Sequence, residues 1–175
     1  MNVPLHQLFG GAVKTEFPVL RILAIKEPEE MAAQAQILYD QGYRYFKIKV
    51  HGEVALDIKR VATIRTQLGE DANLTVDANQ AYSPKDAITA INGMSEYCLD
   101  LVEQPVAIND YSGLKLVTEA VPVAVEADES AGSLQEVVHL VNNRIVDAVS
   151  LKVPKLGGLW NTLIAAQICK NGNVQ

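Results

Sequence analysis

Three observations predict an α/β fold, a partial TIM-type barrel of about six strand–helix units. Short apolar runs alternate with amphipathic stretches, as a parallel sheet covered by helices requires. Charged residues close successive apolar runs at Lys49, Asp77, Glu103, Asp128 and Lys152, in steps of 28, 26, 25 and 24 positions. Each step accommodates a strand, its loops and a covering helix before the next parallel strand. Finally, 49% of the 175 residues are hydrophobic, enough for a substantial core, and the charged fraction is ordinary for a globular domain.

The elements follow in order. A first strand spans Phe17 to Ile25, and a helix runs from Pro28 to Asp40. After the turn signal Gln41-Gly42, Tyr45 to Val50 reads as a strand, and Val54, Ile58, Val61, Ile64 and Leu68 recur at helical spacing. Leu74 to Asp77 is the third strand, and Ser83 to Met94 the helix after it, with Ser83 as cap and Pro84 at the first helical position. Leu99 to Glu103 precedes a helix over Tyr111 to Glu119. Val121 to Glu126 leads to Asp128, before a helix over Ser133 to Val141 that is capped by Ser133. Ala148 to Lys152 and a helix over Trp160 to Cys169 complete six units.

Eight such units take about 250 residues, so the chain is expected to be part of a larger protein. Residues 1–16 are then a linker from a preceding domain and residues 17–175 a partial catalytic barrel. A net charge of -6 without a basic cluster argues against nucleic acid as a partner. No stretch is long and apolar enough to cross a bilayer and no secretory leader is visible at Met1, so a cytoplasmic protein without a membrane partner is expected, homo-oligomeric at full length. Cys98 and Cys169 lack metal-ligand spacing and are expected to be buried thiols.

Asp77, Glu103 and Asp128 would project from neighbouring strand ends into one mouth, where ionised carboxylates repel. A divalent cation removes that conflict. With oxygen ligands alone, Mg2+ is expected and Mn2+ is an acceptable substitute. Taken singly, each acid could instead cap a helix or sit in a wet loop; three in register favour the cation. Lys47 and Lys49 lie two apart and share a strand face. At about 6 Å and an effective dielectric near 20, their repulsion is roughly 3 kcal/mol, or about two pKa units, bringing Lys49 from about 10.4 toward 8 as a base. Lys152 emerges three strands farther round, facing them across the mouth. Two bases on opposite faces of a substrate permit proton removal on one side and delivery on the other.

The motifs Lys47-Ile48-Lys49, Val76-Asp77-Ala78-Asn79-Gln80, Val102-Glu103-Gln104-Pro105, Ala127-Asp128-Glu129-Ser130 and Leu151-Lys152-Val153-Pro154-Lys155-Leu156-Gly157-Gly158 together resemble the enolase superfamily. The likeness is to its muconate lactonizing enzyme subgroup rather than to the mandelate racemase type, and it covers nearly the whole chain. It implies a (β/α)7β barrel whose last strands are absent here, following a capping domain. It also implies Mg2+ ligation by Asp77, Glu103 and Asp128, with Lys49 and Lys152 as catalytic acid and base. Lys47 would sit against the carboxylate of a small-molecule substrate and tune Lys49, while Asn79 and Glu129 would lie close to the substrate. The implied chemistry is abstraction of the proton alpha to a carboxylate, giving an enediolate that leads to racemisation, epimerisation, cycloisomerisation or dehydration. Enolase-type sites with a lysine or histidine base and Mg2+ are a known pattern.

Two other readings compete. Lys152 could attack a carbonyl as the Schiff-base lysine of a lyase or aldolase, or the chain could be catalytically inert by itself. His6, His51 and His139 are scattered and read as surface residues, with His51 of interest for following Lys49 at a loop end. Lys155 falls outside the apolar run, which favours Lys152 as the active lysine. Gly157-Gly158 reads as a tight turn before the last helix.

Overall fold

The computed structural model describes residues 3–175, so the first two residues of the expected linker lie outside the described residues. Among the described residues, six strands form one parallel sheet whose spatial order is the sequence order: β1 (Leu20–Leu23), β2 (Tyr45–Lys49), β3 (Asn73–Asp77), β4 (Leu99–Glu103), β5 (Ala124–Ala127) and β6 (Ala148–Val149). The helices that follow them are α2 (Pro28–Asp40), α3 (Val54–Leu68), α4 (Pro84–Ser95), α5 (Tyr111–Ala120), α6 (Leu134–Asn142) and α7 (Leu159–Asn171). Sequential parallel pairing with a helix in every connection is the wall of a β/α barrel. Neighbouring helices pack on one another, α2 on α3, α3 on α4, α4 on α5 and α6 on α7, so they form a single layer.

The core lies between that layer and the sheet. Phe46, Ile48 and Val50 face the helices as their alternation requires, at 0%, 0% and 2% exposure. Leu74, Val76, Val102 and Val125 continue the surface round the sheet, and Met31, Val61, Ile64, Ile91, Met94 and Leu140 cover it. Full burial of each such side chain contributes about 1.5–3 kcal/mol. Helix starts follow local chemistry: Ser83 Oγ accepts from Asp86 N at 3.2 Å, Asp110 Oδ1 from Gly113 N at 2.8 Å, and Ser133 Oγ from Glu136 N at 3.2 Å.

Some boundaries differ from expectation. β1 and β5 begin later than their apolar runs because Pro18 and Pro122 lack the N–H a ladder needs. β6 pairs over two residues only, after which the backbone turns away and leaves Lys152 beyond the strand. The sheet continues past β6, since Gln175 N donates to Asp147 O and Val149 N to Gln175 O, each at 2.9 Å. A short helix, α1 (Leu5–Leu8), lies within the expected linker, and Phe9 next to it stacks at 6.1 Å from Trp160 of α7. Cys169 is buried as expected, but Cys98 is exposed: it occupies the turn between α4 and β4 with φ of 52° rather than a packed run.

Candidate active site

The sheet face opposite the helices carries the charge. In register, Lys49 pairs with Asp77, Asp77 with Glu103, and Glu103 with Glu126, giving a row of four ionisable residues across β2 to β5. Asp128 follows β5 directly, and Lys152 lies on the loop after β6, four strands round from Lys49 rather than three. All five predicted charged positions therefore sit at the C-terminal ends of the strands, where a barrel's loops form its mouth.

Asp77, Glu103 and Asp128 each meet an ammonium. Lys47 donates to Glu103 Oε2. Lys49 Nζ donates to Asp77 Oδ2 and to Asn79 Oδ1, both at 2.5 Å, and Asn79 Nδ2 reaches Glu129 Oε1 at 3.2 Å. Lys152 donates to Asp128 Oδ2, while Lys155 donates to Asp128 Oδ1 and, at 2.5 Å, to the Asp128 carbonyl. Lys155 thus belongs to the cluster although it lies outside the apolar run, because the turn after Lys152 folds it back over Asp128. The repulsion between Lys47 and Lys49 is answered by carboxylates, an attraction that pairwise lysine arithmetic leaves out.

Glu103, Asp77 and Asp128 are 0%, 2% and 3% exposed. They share a mouth but not a point: each is drawn to its own lysine, and among the described residues no group of three acid, histidine or cysteine side chains closes on one ion position. Burial raises the pKa of Glu103, and the neighbouring charges of Asp77 and Asp128 add to this against the hydrogen bond from Lys47. Burial also opposes ionisation of Asp128, but hydrogen bonds from Lys152 and Lys155 overcome it and hold this carboxyl below its ordinary range. Lys152 shifts upward: burial works against its charge, and Asp128 more than compensates. Glu103 Oε1 is buried without a hydrogen-bond partner. An unpaired carboxylate oxygen among further anionic oxygens, with no soft donor nearby, fits a hard divalent cation, which would supply the missing positive charge.

Sequence reasoning passed over two residues of the site. Glu126 stands two positions before Asp128 on the same strand face, so alternation alone places it in the row with Glu103. Burial, and then the charge of Glu103, push its pKa from 4.5 up to about 7. A folded pKa above the unfolded one means that ionisation costs folding energy. The cost is absent below pH 4.5, grows to about pH 7 and is full above it. At about 1.4 kcal/mol per unit the full cost is about 3.5 kcal/mol. Glu126→Gln is therefore expected to stabilise the chain by up to about 3.5 kcal/mol at pH 8 and by nothing near pH 4, read by urea unfolding in chelator-containing buffer. A gain independent of pH would contradict the assignment.

Gln104 is the second residue. Fully buried, it accepts from Asp128 N at 3.0 Å and Ser130 N at 3.1 Å, and donates to Val106 O at 3.0 Å and Ser130 Oγ at 2.8 Å. It fastens the end of β4 to the end of β5. Asn79, Gln80 and Gln104 adopt positive φ of 41°, 70° and 39°, and such left-handed residues cost about 1–3 kcal/mol each unless the surroundings impose them. The surroundings do so here through Gln80 N to Gln104 O and Gln104 N to Glu126 O, both at 2.8 Å.

The profile of the family described as "Enolase C-terminal domain-like" matches residues 30–175. The chain belongs to the enolase superfamily. Within it, the muconate-lactonizing-enzyme-like subgroup is the match. A hydrophobic dipeptide epimerase of Enterococcus faecalis is 40% identical over 99% of the chain and 49% of its own length. A chloromuconate cycloisomerase of Pseudomonas sp. is 30% identical over 99% of the chain and 48% of its own. Among solved structures, the E. faecalis dipeptide epimerase complexed with Mg and the dipeptide L-Leu-L-Tyr superposes with a TM-score of 0.94 at 40% identity, covering 98% of the chain and 48% of that one. The muconate cycloisomerase of Pseudomonas fluorescens gives 0.92 at 32% identity over 97% and 46%. This enolase-superfamily chain spans about half the length of the curated relatives it matches. No helix of the described residues is long and apolar enough to cross a membrane.

Proposed function

We propose that the protein to which this chain belongs is a Mg2+-dependent epimerase that abstracts and returns the proton alpha to a carboxylate, with a dipeptide or related N-acylated amino acid as substrate. The observation that carries this reading is the placement of Lys49 and Lys152 at strand ends four strands apart, each bonded to a different buried carboxylate. The dipeptide epimerases among its relatives support the substrate class.

Asp77, Glu103 and Asp128 are the residues that would hold Mg2+. When bound, the ion supplies Lewis-acid stabilisation of the carboxylate as negative charge grows on it. Lys47, anchored on Glu103, places an ammonium where the substrate carboxylate must approach. Lys49 removes the proton on its face, held in line by Asp77 and Asn79. Lys152, kept charged by Asp128, delivers a proton on the other face. Negative charge on the substrate oxygens rises as the proton leaves, so the lysine ammonium groups bind the enediolate more strongly than the substrate and catalysis follows. Lys155 and Glu129 flank these groups and would shape the edge of the substrate site.

For the full-length protein in deuterated water with apolar dipeptides, the expected result is exchange of the alpha proton together with epimer formation, seen by proton NMR. Chelator is expected to abolish both, and Mg2+ or Mn2+ to restore them. Turnover indifferent to chelator, with borohydride trapping of a carbonyl substrate on Lys152, would overturn the reading.

A further inference from the structure

Behind Lys49 lies a buried polar cluster in which no metal or substrate group has been placed. Asp57, in the first turn of α3, is 0% exposed, Arg60 is 3% and Tyr82 is 5%. Asp57 Oδ2 accepts from Tyr82 Oη at 2.7 Å and from Gly52 N at 3.0 Å, and Asp57 Oδ1 accepts from Arg60 at 2.6 Å. Arg60 Nε donates to Lys26 O at 2.9 Å, and its Nη1 lies 3.3 Å from His51 Nδ1. One carboxylate and one guanidinium thereby tie together the loops after β1, β2 and β3. These are successive loops of the barrel mouth, and the last two carry the continuations of Lys49 and Asp77.

Gly52 reports how tightly the loops are drawn together. Its φ is +101°, and a Cβ there would stand 2.8 Å from Ala81 O, so the β2–α3 loop lies against the β3–α4 loop with no room for a side chain. Where these loops leave their strands are the bonds that orient Lys49, to Asp77 at the end of β3 and to Asn79 in the loop after it. Asn79 sits at positive φ two residues before Ala81. Replacing burial in an apolar core by a buried ion pair is seldom a gain in stability. Such a cluster beside a site is better explained by the geometry it imposes.

We infer that Asp57, Arg60 and Tyr82 form a positioning cluster that clamps the β2–α3 loop to the β3–α4 loop and so fixes the Lys49 ammonium in its proton-transfer geometry. None of the three side chains bonds to Lys49 itself; they bond to one another, to Gly52 N, to Lys26 O and to His51. Their effect passes through the Gly52–Ala81 contact to the Lys49–Asn79 bond. The inference rests on the proposed proton-transfer function and concerns the turnover step rather than substrate capture.

Two variants of the full-length protein disturb the clamp by unrelated means. Tyr82→Phe removes one hydroxyl and keeps the ring, while Gly52→Ala inserts a methyl group between the loops. Val137→Ala, on the core-facing side of α6 and outside the clamp, serves as a destabilised control. The expected result is a fall of about 10-fold or more in kcat for both clamp variants with KM changed less than about 3-fold, and wild-type kcat for the control at a comparable loss of Tm. If Tyr82→Phe or Gly52→Ala lowers Tm while kcat stays at the wild-type value, the cluster is structural only and the inference is wrong. If neither clamp variant folds, alpha-proton exchange with Asp57→Asn, which keeps the side-chain shape but turns one of the two acceptor oxygens into an NH2 donor, must show the same kcat loss or the inference fails. Unmodified protein that exchanges no alpha proton would instead remove the proposed function, and this inference with it.

Discussion

Lys49→Ala and Lys152→Ala variants of the full-length protein should each lose epimerisation by 100-fold or more, on the order of 3 kcal/mol of transition-state stabilisation, while still binding Mg2+. The asymmetry between them is the sharper test. Epimerisation needs both faces, but exchange of the alpha proton needs only one. With Lys152 removed, the epimer whose proton faces Lys49 should still exchange with solvent deuterium and the other should not. Lys49→Ala should show the opposite preference. Isothermal titration with Mg2+ keeps the readings separate, because loss of turnover with metal affinity intact points to the amines. Equal residual exchange of both epimers in either variant would mean that the two lysines do not address opposite faces.

The regular ladder makes the fold legible in the sequence. The helix-facing residues of each strand are apolar and buried, so the runs stand out, and capping residues such as Ser83 and Ser133 mark helix starts locally. Lys47 and Lys49 were readable as one face because strand alternation is strict. What was not legible depends on contacts between loops. Lys155 enters the cluster through a turn whose path no periodicity encodes. Tyr82 and Asp57 meet 25 positions apart in a bond that neither residue's neighbours announce. Glu126 was available from alternation, but its meaning depends on register with Glu103, which only strand pairing supplies. The pairing of Asp77, Glu103 and Asp128 with lysines is hidden for the same reason: the spacing names residues at the mouth without choosing their partners.

Gln104→Leu is the substitution expected to do the greatest damage without touching a charged group. Leucine nearly matches the volume, so no large cavity arises, and exposure is already 0%. Asp128 N, Ser130 N and Val106 O would each lose the partner that Gln104 now provides. At about 1–3 kcal/mol per buried polar group left unpaired, the three sum to about 3–9 kcal/mol before any relaxation, a large share of a domain's 5–15 kcal/mol. The chain can relieve part of that strain by letting the end of β5 draw away from β4, and Asp128 moves with it. Loss of stability should therefore be accompanied by weakened Mg2+ affinity, whereas a comparably destabilising core change such as Leu140→Ala should leave affinity nearly intact. Denaturant unfolding and metal titration on the two full-length variants separate the cases. Equal Mg2+ affinity in Gln104→Leu and Leu140→Ala would show that the amide stabilises the strand ends without setting the position of the carboxylate.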